Sequence, residues 1–297
     1  MNSLSRKLKF AIFGNEYQAK KSAAIQNIMQ FMKEHDAEVW FDRTFFNFLT
    51  LEQHQNIDAT GVFEGDDFNA DFVLSMGGDG TFLKAASRVG SKQTPIIGVN
   101  TGRLGFLADV LPSEIEPALR EICEGNYKIE EHAAIMIEAE GQWIDEYPFA
   151  LNDIAVLKRD DASMISIRTS INGEYLVTYQ ADGLIVSTPT GSTAYNLSNG
   201  GPIVVPSADI LCLTPVAPHS LNIRPIAIPD WVEVELEVES RSHNYLVAID
   251  GRSIKMREGA KLIVKKAPYK VKIVKRSGQR YFSTLREKMM WGADTRN

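Results

Sequence analysis

Two periodicities of apolar residues divide the chain. In the first part, Ile25, Ile28, Met29 and Met32 fall at i, i+3, i+4 and i+7, the stripe of an amphipathic helix. Ile115, Leu119, Ile122 and Cys123 form a second stripe, with Pro112-Ser113-Glu114 as its start. Short apolar runs over residues 7–13, 37–41, 71–75 and 94–99 predict strands, and a glycine-rich turn over 76–80 leads into a helix over 81–89. Strand–helix alternation of this kind predicts a mostly parallel sheet covered by helices on both faces. The acidic stretch 50–71, with two glycines, reads as a solvated loop.

From Tyr127 onward the period becomes two. Ile165, Ile167, Thr169 and Ile171 alternate with Ser166, Arg168 and Ser170, and Asn172-Gly173 then supplies a hairpin turn into 174–179. Val232, Val234, Leu236 and Val238 alternate with Glu233, Glu235 and Glu237. Residues 246–249, 261–264 and 271–274 continue the theme. The expected architecture is an α/β N-terminal domain with a mostly parallel sheet, over 1–125, and a β-rich, layered antiparallel domain over 126–280. Leu285, Met289 and Trp291 predict a C-terminal helix within 281–297.

Composition narrows the class without naming a chemistry. The chain has 297 residues, with 44% apolar and 24% charged side chains, as in ordinary soluble proteins. It has no run of 18 apolar residues, so no membrane partner is expected. A net charge of −6 argues against a nucleic-acid partner. Two distant cysteines, Cys123 and Cys212, make no disulfide framework and point to the reducing cytoplasm. One basic stretch, from Lys261 to Arg280, is either a polyanion patch or the solvated face of hairpins. The alternation of Lys270 and Lys272 with Val271 and Ile273 favours the solvated face.

Four segments carry candidate chemistry. Met76-Gly77-Gly78-Asp79-Gly80-Thr81 lies where a strand meets a helix. There glycines let amides approach a phosphate and the helix N-terminus adds partial positive charge. Asp79 is a base for a substrate hydroxyl, a metal partner, or simply a turn residue. Lys84, one turn on, reaches the same phosphates or sits in solvent. Gly98-Val99-Asn100-Thr101-Gly102-Arg103-Leu104-Gly105-Phe106 matches no standard phosphate loop and reads as a tight connector. Asn152-Asp153 pairs an amide for a base edge with a carboxylate for ribose hydroxyls, though as a dipeptide it reads first as a turn. The run after Asp182-Gly183, Thr188-Pro-Thr-Gly-Ser-Thr-Ala-Tyr195-Asn-Leu-Ser198, concentrates hydroxyls, small residues and one aromatic. That suits a loop wrapped around a ligand, with Tyr195 stacked on a ring and Thr193 and Ser198 hydrogen-bonding it.

Taken together, GGDGTFLKAA from Gly77, NTGRLGFL from Asn100, LNDIAV from Leu151 and DGLIVSTPTGSTAYNLSNGGPIV from Asp182 resemble the NAD kinase family over nearly the whole chain. GGDGT alone is shared with diacylglycerol-kinase-like lipid kinases and phosphofructokinases. The Asp182 block, in this order and spacing, is far more specific. The resemblance implies transfer of the γ-phosphoryl of ATP, or in some members polyphosphate, to the 2′-hydroxyl of the adenosine ribose of NAD. It also implies a site between the two domains, a C-terminal helix that returns to the first domain, and a homo-oligomer, dimer or tetramer.

By the same resemblance Asp79 is the catalytic carboxylate, Gly80 shares its NAD contact and Lys84 is a basic substrate-binding position. Asn152 and Asp153 are the adenosine-binding pair, and Asp182 lies on the nicotinamide side. Thr193, Ala194, Tyr195, Asn196, Leu197 and Ser198 wrap the dinucleotide, and Ala217 contributes a backbone contact. Asp153 departs from the Glu common in the family, and Arg252 from the Gln of some members. The five histidines are scattered and form no metal cluster. Mg²⁺ is therefore expected to arrive with ATP, held by phosphates and water. Two other classes compete: a lipid or sugar kinase sharing the GGDGT loop, and a catalytically silent dinucleotide-binding regulator. The Tyr195 loop counts against the first, and an intact Asp79 against the second.

Overall fold

A computed structural model of the chain describes residues 6–15, 22–101, 105–159, 163–276, 278 and 281–290. Two compact units are present, Met1–Glu130 with Lys272–Asn297, and Glu131–Val271. In the first unit, strands β1 (Lys9–Gly14), β2 (Glu38–Asp42), β3 (Gly61–Phe63), β4 (Phe72–Gly77) and β5 (Ile96–Asn100) are all parallel, in the order β5-β4-β1-β2-β3. Between them run α1 (Ser22–Glu34), the short α2 (Arg43–Asn47) and α3 (Asp79–Val89), and after them α4 (Ile115–Cys123). Burial follows the helical stripes. α1 buries Ile25, Ile28 and Met32, and α4 buries Ile115, Leu119 and Ile122, against Phe10, Ile12, Leu74 and Val99 of the strands. α3 buries Phe82, Ala85, Ala86 and Val89, which leaves its N-terminal turn, starting at Asp79, at the carboxyl end of β4.

The stretch 50–71 is not simply a solvated loop. It carries edge strand β3, and Phe63 and Phe68 are buried against Phe13 with ring centroids 5.2 and 5.5 Å away. Three residues of strand are too few to show a period, so the surrounding acidic residues dominate the sequence pattern.

The second unit holds two antiparallel sheets. One runs β13 (Ile226–Pro229), β12 (Ile210–Val216), β11 (Gly183–Ser187), β8 (Asp153–Lys158), β15 (Asn244–Ile249), β16 (Arg252–Arg257). The other includes β10 (Glu174–Ala181), β9 (Ile165–Ile171), β14 (Val234–Glu239) and β17 (Lys261–Arg276), with β6 (Tyr127–Ala139) and β7 (Phe149–Ala150) beside them. Their inner faces share one core: Ile167, Tyr179, Val234, Leu236 and Leu262 meet Ile154, Val156, Leu184, Val186, Leu213, Tyr245 and Val247. On β14, Val234, Leu236 and Val238 point in while Glu235, Glu237 and Glu239 stay out, as the alternation predicts.

β17 is one strand of 16 residues rather than the two segments expected around Pro268. Its last residues, 272–276, belong to the first unit, where Ile273 pairs in parallel with Ile96 of β5. The sequence pattern groups them instead with the β-rich half, because period-2 alternation continues unbroken through them. α6 (Tyr281–Met289) follows in the same unit with Leu285 buried. The expected helical positions Trp291 and Gly292 lie outside the described residues.

One glycine brings a later segment of backbone against β5. A Cβ at Gly98 of this strand would overlap the Leu107 carbonyl and the Ala108 Cα, so glycine alone lets the 105–108 segment approach. Val110 N–H donates to the Gly98 carbonyl at 3.0 Å, and Asn100 Nδ2 to the Ala108 carbonyl at 3.2 Å, which locks this approach. Backbone is a rigid obstacle, so Gly98→Ala should destabilise the chain by roughly 1–3 kcal/mol. A urea midpoint equal to wild type would refute this packing.

Candidate functional site

Asp79 is the first residue of α3, and Gly78, its N-cap, makes no side-chain capping bond; Thr81 N–H turns back to the Gly78 carbonyl at 3.0 Å, which leaves the Asp79 and Gly80 amides without a partner among the described residues. Its carboxylate accepts three consecutive backbone amides: Phe106 N–H to Oδ2 at 2.8 Å, and Leu107 and Ala108 N–H to Oδ1 at 3.0 Å each. A carboxylate offers about four lone-pair positions. Two on Oδ1 and one on Oδ2 are filled by described residues, which leave one acceptor position, on Oδ2. Gly105 must be glycine because a Cβ there would overlap this carboxylate, and a Cβ at Gly77 would overlap Thr81. The segment that reads as a mere connector is thus the clamp on Asp79. Gly102, Arg103 and Leu104 of that motif fall outside the described residues. Gly80 and Lys84 are exposed on the same helix.

In the second unit the same device recurs with the roles exchanged. Asp250 accepts N–H from Leu151 (2.8 Å), Asn152 (2.8 Å) and Asp153 (3.1 Å). This fixes the Asn152-Asp153 turn, and the side chains of both residues make no hydrogen bond with any described residue. Burial, then the Asp250 charge, pushes the Asp153 carboxyl up to about 7. Burial also raises Asp250, against its three backbone donors and Arg252.

The loop 188–198 packs on this turn. Thr188 N–H donates to the Asn152 carbonyl (2.9 Å) and its hydroxyl to the Leu151 carbonyl (2.5 Å). A Cβ at Gly191 would overlap the Asn152 backbone. His132 Nδ1 meets the Thr190 hydroxyl at 2.8 Å, beneath the loop.

The remaining predicted positions divide by availability. Tyr195 is 39% exposed, and Ser198 is exposed on the one-turn helix α5 (Tyr195–Ser198), with Leu197 beside it and Ala194 as its cap. Thr193 reaches only the Thr190 carbonyl, at 3.5 Å. Asn196 is different. It is fully buried, donating to the Ser192 and Pro202 carbonyls (3.1 Å each) and accepting from Thr214 (2.6 Å), so its side chain serves the loop and not a ligand. Asp182 pairs with Lys158 at 3.0 Å, and its N–H donates to the Val216 carbonyl beside Ala217, whose φ of +42° turns the backbone sharply at an exposed position.

Arg252 is spent on Asp145 and the Tyr147 carbonyl. The basic stretch is neutralised in pairs: Lys261 with Glu235, Lys265 with Glu138, Lys266 with Asp230, Lys275 with Asp109, and Arg276 with Glu121. It is therefore no polyanion patch. Among the described residues, no three His, Cys, Asp or Glu side chains converge as a metal cage. No described helix is long and apolar enough to cross a membrane.

Three contributors are not legible in the sequence as site residues: Asp250, His132 and Lys288. Asp250-Gly251 carries only a turn signal, His132 is a lone histidine in a strand, and Lys288 has the look of an ordinary helix C-terminal cation.

Comparison with known proteins gives the family and the fold. Residues 10–127 match the family model of the ATP-NAD kinase N-terminal domain, and residues 151–276 that of the ATP-NAD kinase C-terminal domain. The chain is 55% identical over 289 residues to an NAD kinase of Bacteroides fragilis, covering 97% of this chain and 100% of that one. It is 40% identical over 288 residues to one of Porphyromonas gingivalis, covering 97% and 99%. In fold it is similar to a yeast NADH kinase solved with NADH (TM-score 0.88, 20% identity, 98% of this chain and 89% of that one). It is likewise similar to an NAD kinase from Archaeoglobus fulgidus solved with ATP (TM-score 0.73, 24% identity, 95% and 98%).

The acidic pair opposes stability. Because Asp153 and Asp250 hold their protons to higher pH folded than unfolded, native stability falls as pH rises from about 4 toward 7 and stays low above it. Asp153→Asn should therefore raise stability at pH 8 by roughly 1–3 kcal/mol, with the gain shrinking by pH 5. A urea midpoint at pH 8 below that of wild type would sink this account. With both family models matched in chain order and relatives matched end to end, the chain belongs to the ATP-NAD kinase family.

Proposed function

We propose that this chain, which phosphorylates NAD to NADP with ATP, directs the γ-phosphoryl group to the 2′-hydroxyl of the adenosine ribose with Asp79 as general base. The observation that carries the reading is the acceptor position on Asp79 Oδ2 that the described residues leave open, beside three positions closed by backbone amides. A carboxylate oriented in this way can accept one hydroxyl proton from one direction. As the 2′-oxygen forms its bond to the γ-phosphorus, the bond from that phosphorus to the bridging oxygen breaks, ADP leaves, and the proton passes to Asp79.

On this reading the unbonded Asn152 amide reads the adenine edge and the Asp153 carboxylate accepts ribose hydroxyls. Tyr195 stacks on a ring of the dinucleotide, with Thr193, Ser198 and the backbone of Ala194, Asn196 and Leu197 around it. Ala217 offers backbone, and Asp182, held by Lys158, lies on the nicotinamide side. Gly77, Gly78 and Gly80 leave first-turn amides for phosphate, and Lys84 is a mobile cation near them. Mg²⁺ brought by ATP would be held by the donor's phosphates and water and would offset phosphate charge. The family resemblance extends the reading to a cytoplasmic homo-oligomer, dimer or tetramer.

Asp79→Asn tests the base. It should lower kcat roughly 10²–10⁴-fold with the KM for NAD nearly unchanged. Its amide would also meet the Phe106 N–H donor to donor, so a small fall in melting temperature is expected alongside. NADP formation near the wild-type rate in a folded variant would show that another group takes the proton.

A further inference from the structure

The first unit contains a cation near Asp79 to which the phosphoryl transfer assigns no role. Lys288 lies near the end of α6, one turn beyond the buried Leu285, so both share the face that packs inward. Its ammonium is fully buried yet has no hydrogen-bond partner among the described residues. It sits 4.1 Å from the centroid of the Phe106 ring. Among the described residues Phe106 N–H is the backbone donor to Asp79 Oδ2, whereas Leu107 and Ala108 both serve Oδ1. The residue under the ammonium thus aims the oxygen with the open acceptor position.

A buried, unbonded ammonium is a poor stabilising device, because it has lost water and gained no acceptor. A lysine needed only for the helix dipole would keep its ammonium in solvent. The charged groups around it are Asp79 on α3, Asp109 after β5 and Lys275 on β17. Lys275 is already paired with Asp109. What remains for Lys288 is the ring of Phe106 and the field of Asp79.

We infer that Lys288 is a positioning residue for Asp79: its charge, seated on Phe106, holds the amide that orients the base oxygen, so the C-terminal helix must be docked for phosphoryl transfer. This rests on the reading of Asp79 as the base. Burial lowers the Lys288 ammonium to about 8, with Lys275 adding to the lowering and Asp79 and Asp109 opposing it. The group is therefore charged below about pH 8 and neutral above it. The positioning effect is present on the acid side and is lost as pH rises through that value.

The test is kcat/KM for NAD against pH at saturating Mg-ATP, in wild type, Lys288→Met and Lys288→Arg, with melting temperatures measured in parallel. Wild type should lose activity on an alkaline limb near pH 8. Lys288→Met should lose roughly tenfold or more on the plateau, through kcat, and show no such limb. Lys288→Arg, which keeps its charge at every pH used, should retain most of the plateau and carry activity past pH 9. A Met variant with the wild-type plateau, or an Arg variant with the limb still near 8, overturns the inference. If Met fails to fold, the Arg limb alone decides. Failure of the base reading looks different: Asp79→Asn would then stay active whatever the Lys288 variants do.

Discussion

A carboxylate that accepts three consecutive backbone amides is the interaction on which the rest of this structure depends, and the chain uses it twice. In the first unit the amides of 106–108 hold Asp79, the carboxylate to which the proposed reaction gives the proton. In the second, Asp250 holds the amides of 151–153, and the turn it fixes carries the proposed adenosine-binding side chains. Charge-assisted bonds of this kind are stronger than neutral ones, and three of them remove the freedom of both partners. In the first unit this leaves one open acceptor position. In the second it leaves two side chains, Asn152 and Asp153, projecting unbonded from a fixed backbone. Both outcomes are what recognition of a hydroxylated ligand needs, since polar groups gain most when they are held ready and not already spent.

The device works only where the backbone comes close, and glycine decides where that is. Gly98 admits residues 107 and 108 to β5, Gly105 leaves room for the Asp79 carboxylate, and Gly191 lets the Thr188 loop rest on Asn152. None of the three has a positive φ, so their role is space and not backbone freedom. This is why glycine spacing that fits no standard phosphate fingerprint still marks a site: Gly98 and Gly105 shape a seat for a protein carboxylate, not for a ligand.

Legibility in the sequence follows the same physics. β14 is readable because one face is buried and one is wet, so its glutamates alternate with valine and leucine. β8 and β11 are not readable in this way. Gly183–Ser187 is buried at every position, and Ala155, Ile185 and Ala248 form a small second cluster apart from the main core, so the alternation that betrays a strand is gone. Asp79, Asn152 and the Tyr195 loop stand out because their residue types are unusual together. Asn196 stands out for the same reason, yet its polar atoms are consumed inside the loop, a distinction only geometry can make. Asp250 and Lys288 are ordinary residues in ordinary local patterns. Their importance comes from partners about 100 residues away or more, which no window along the chain contains.

The distribution of unsatisfied groups separates scaffold from machinery. Along β17, most cations that look in sequence like a free basic patch face a carboxylate, and the partly exposed pairs among them leave little net energy in either direction. At the residues given roles in the proposed chemistry the opposite holds: among the described residues, Asp153 is buried beside a like charge without a hydrogen bond to its carboxylate, and the Lys288 ammonium is buried without an acceptor. A chain selected only for stability would pair or replace both. Both lie where glycine and backbone amides fix a carboxylate or a turn, and on the proposed chemistry the stability they cost is offset by groups still able to bind, orient and exchange a proton.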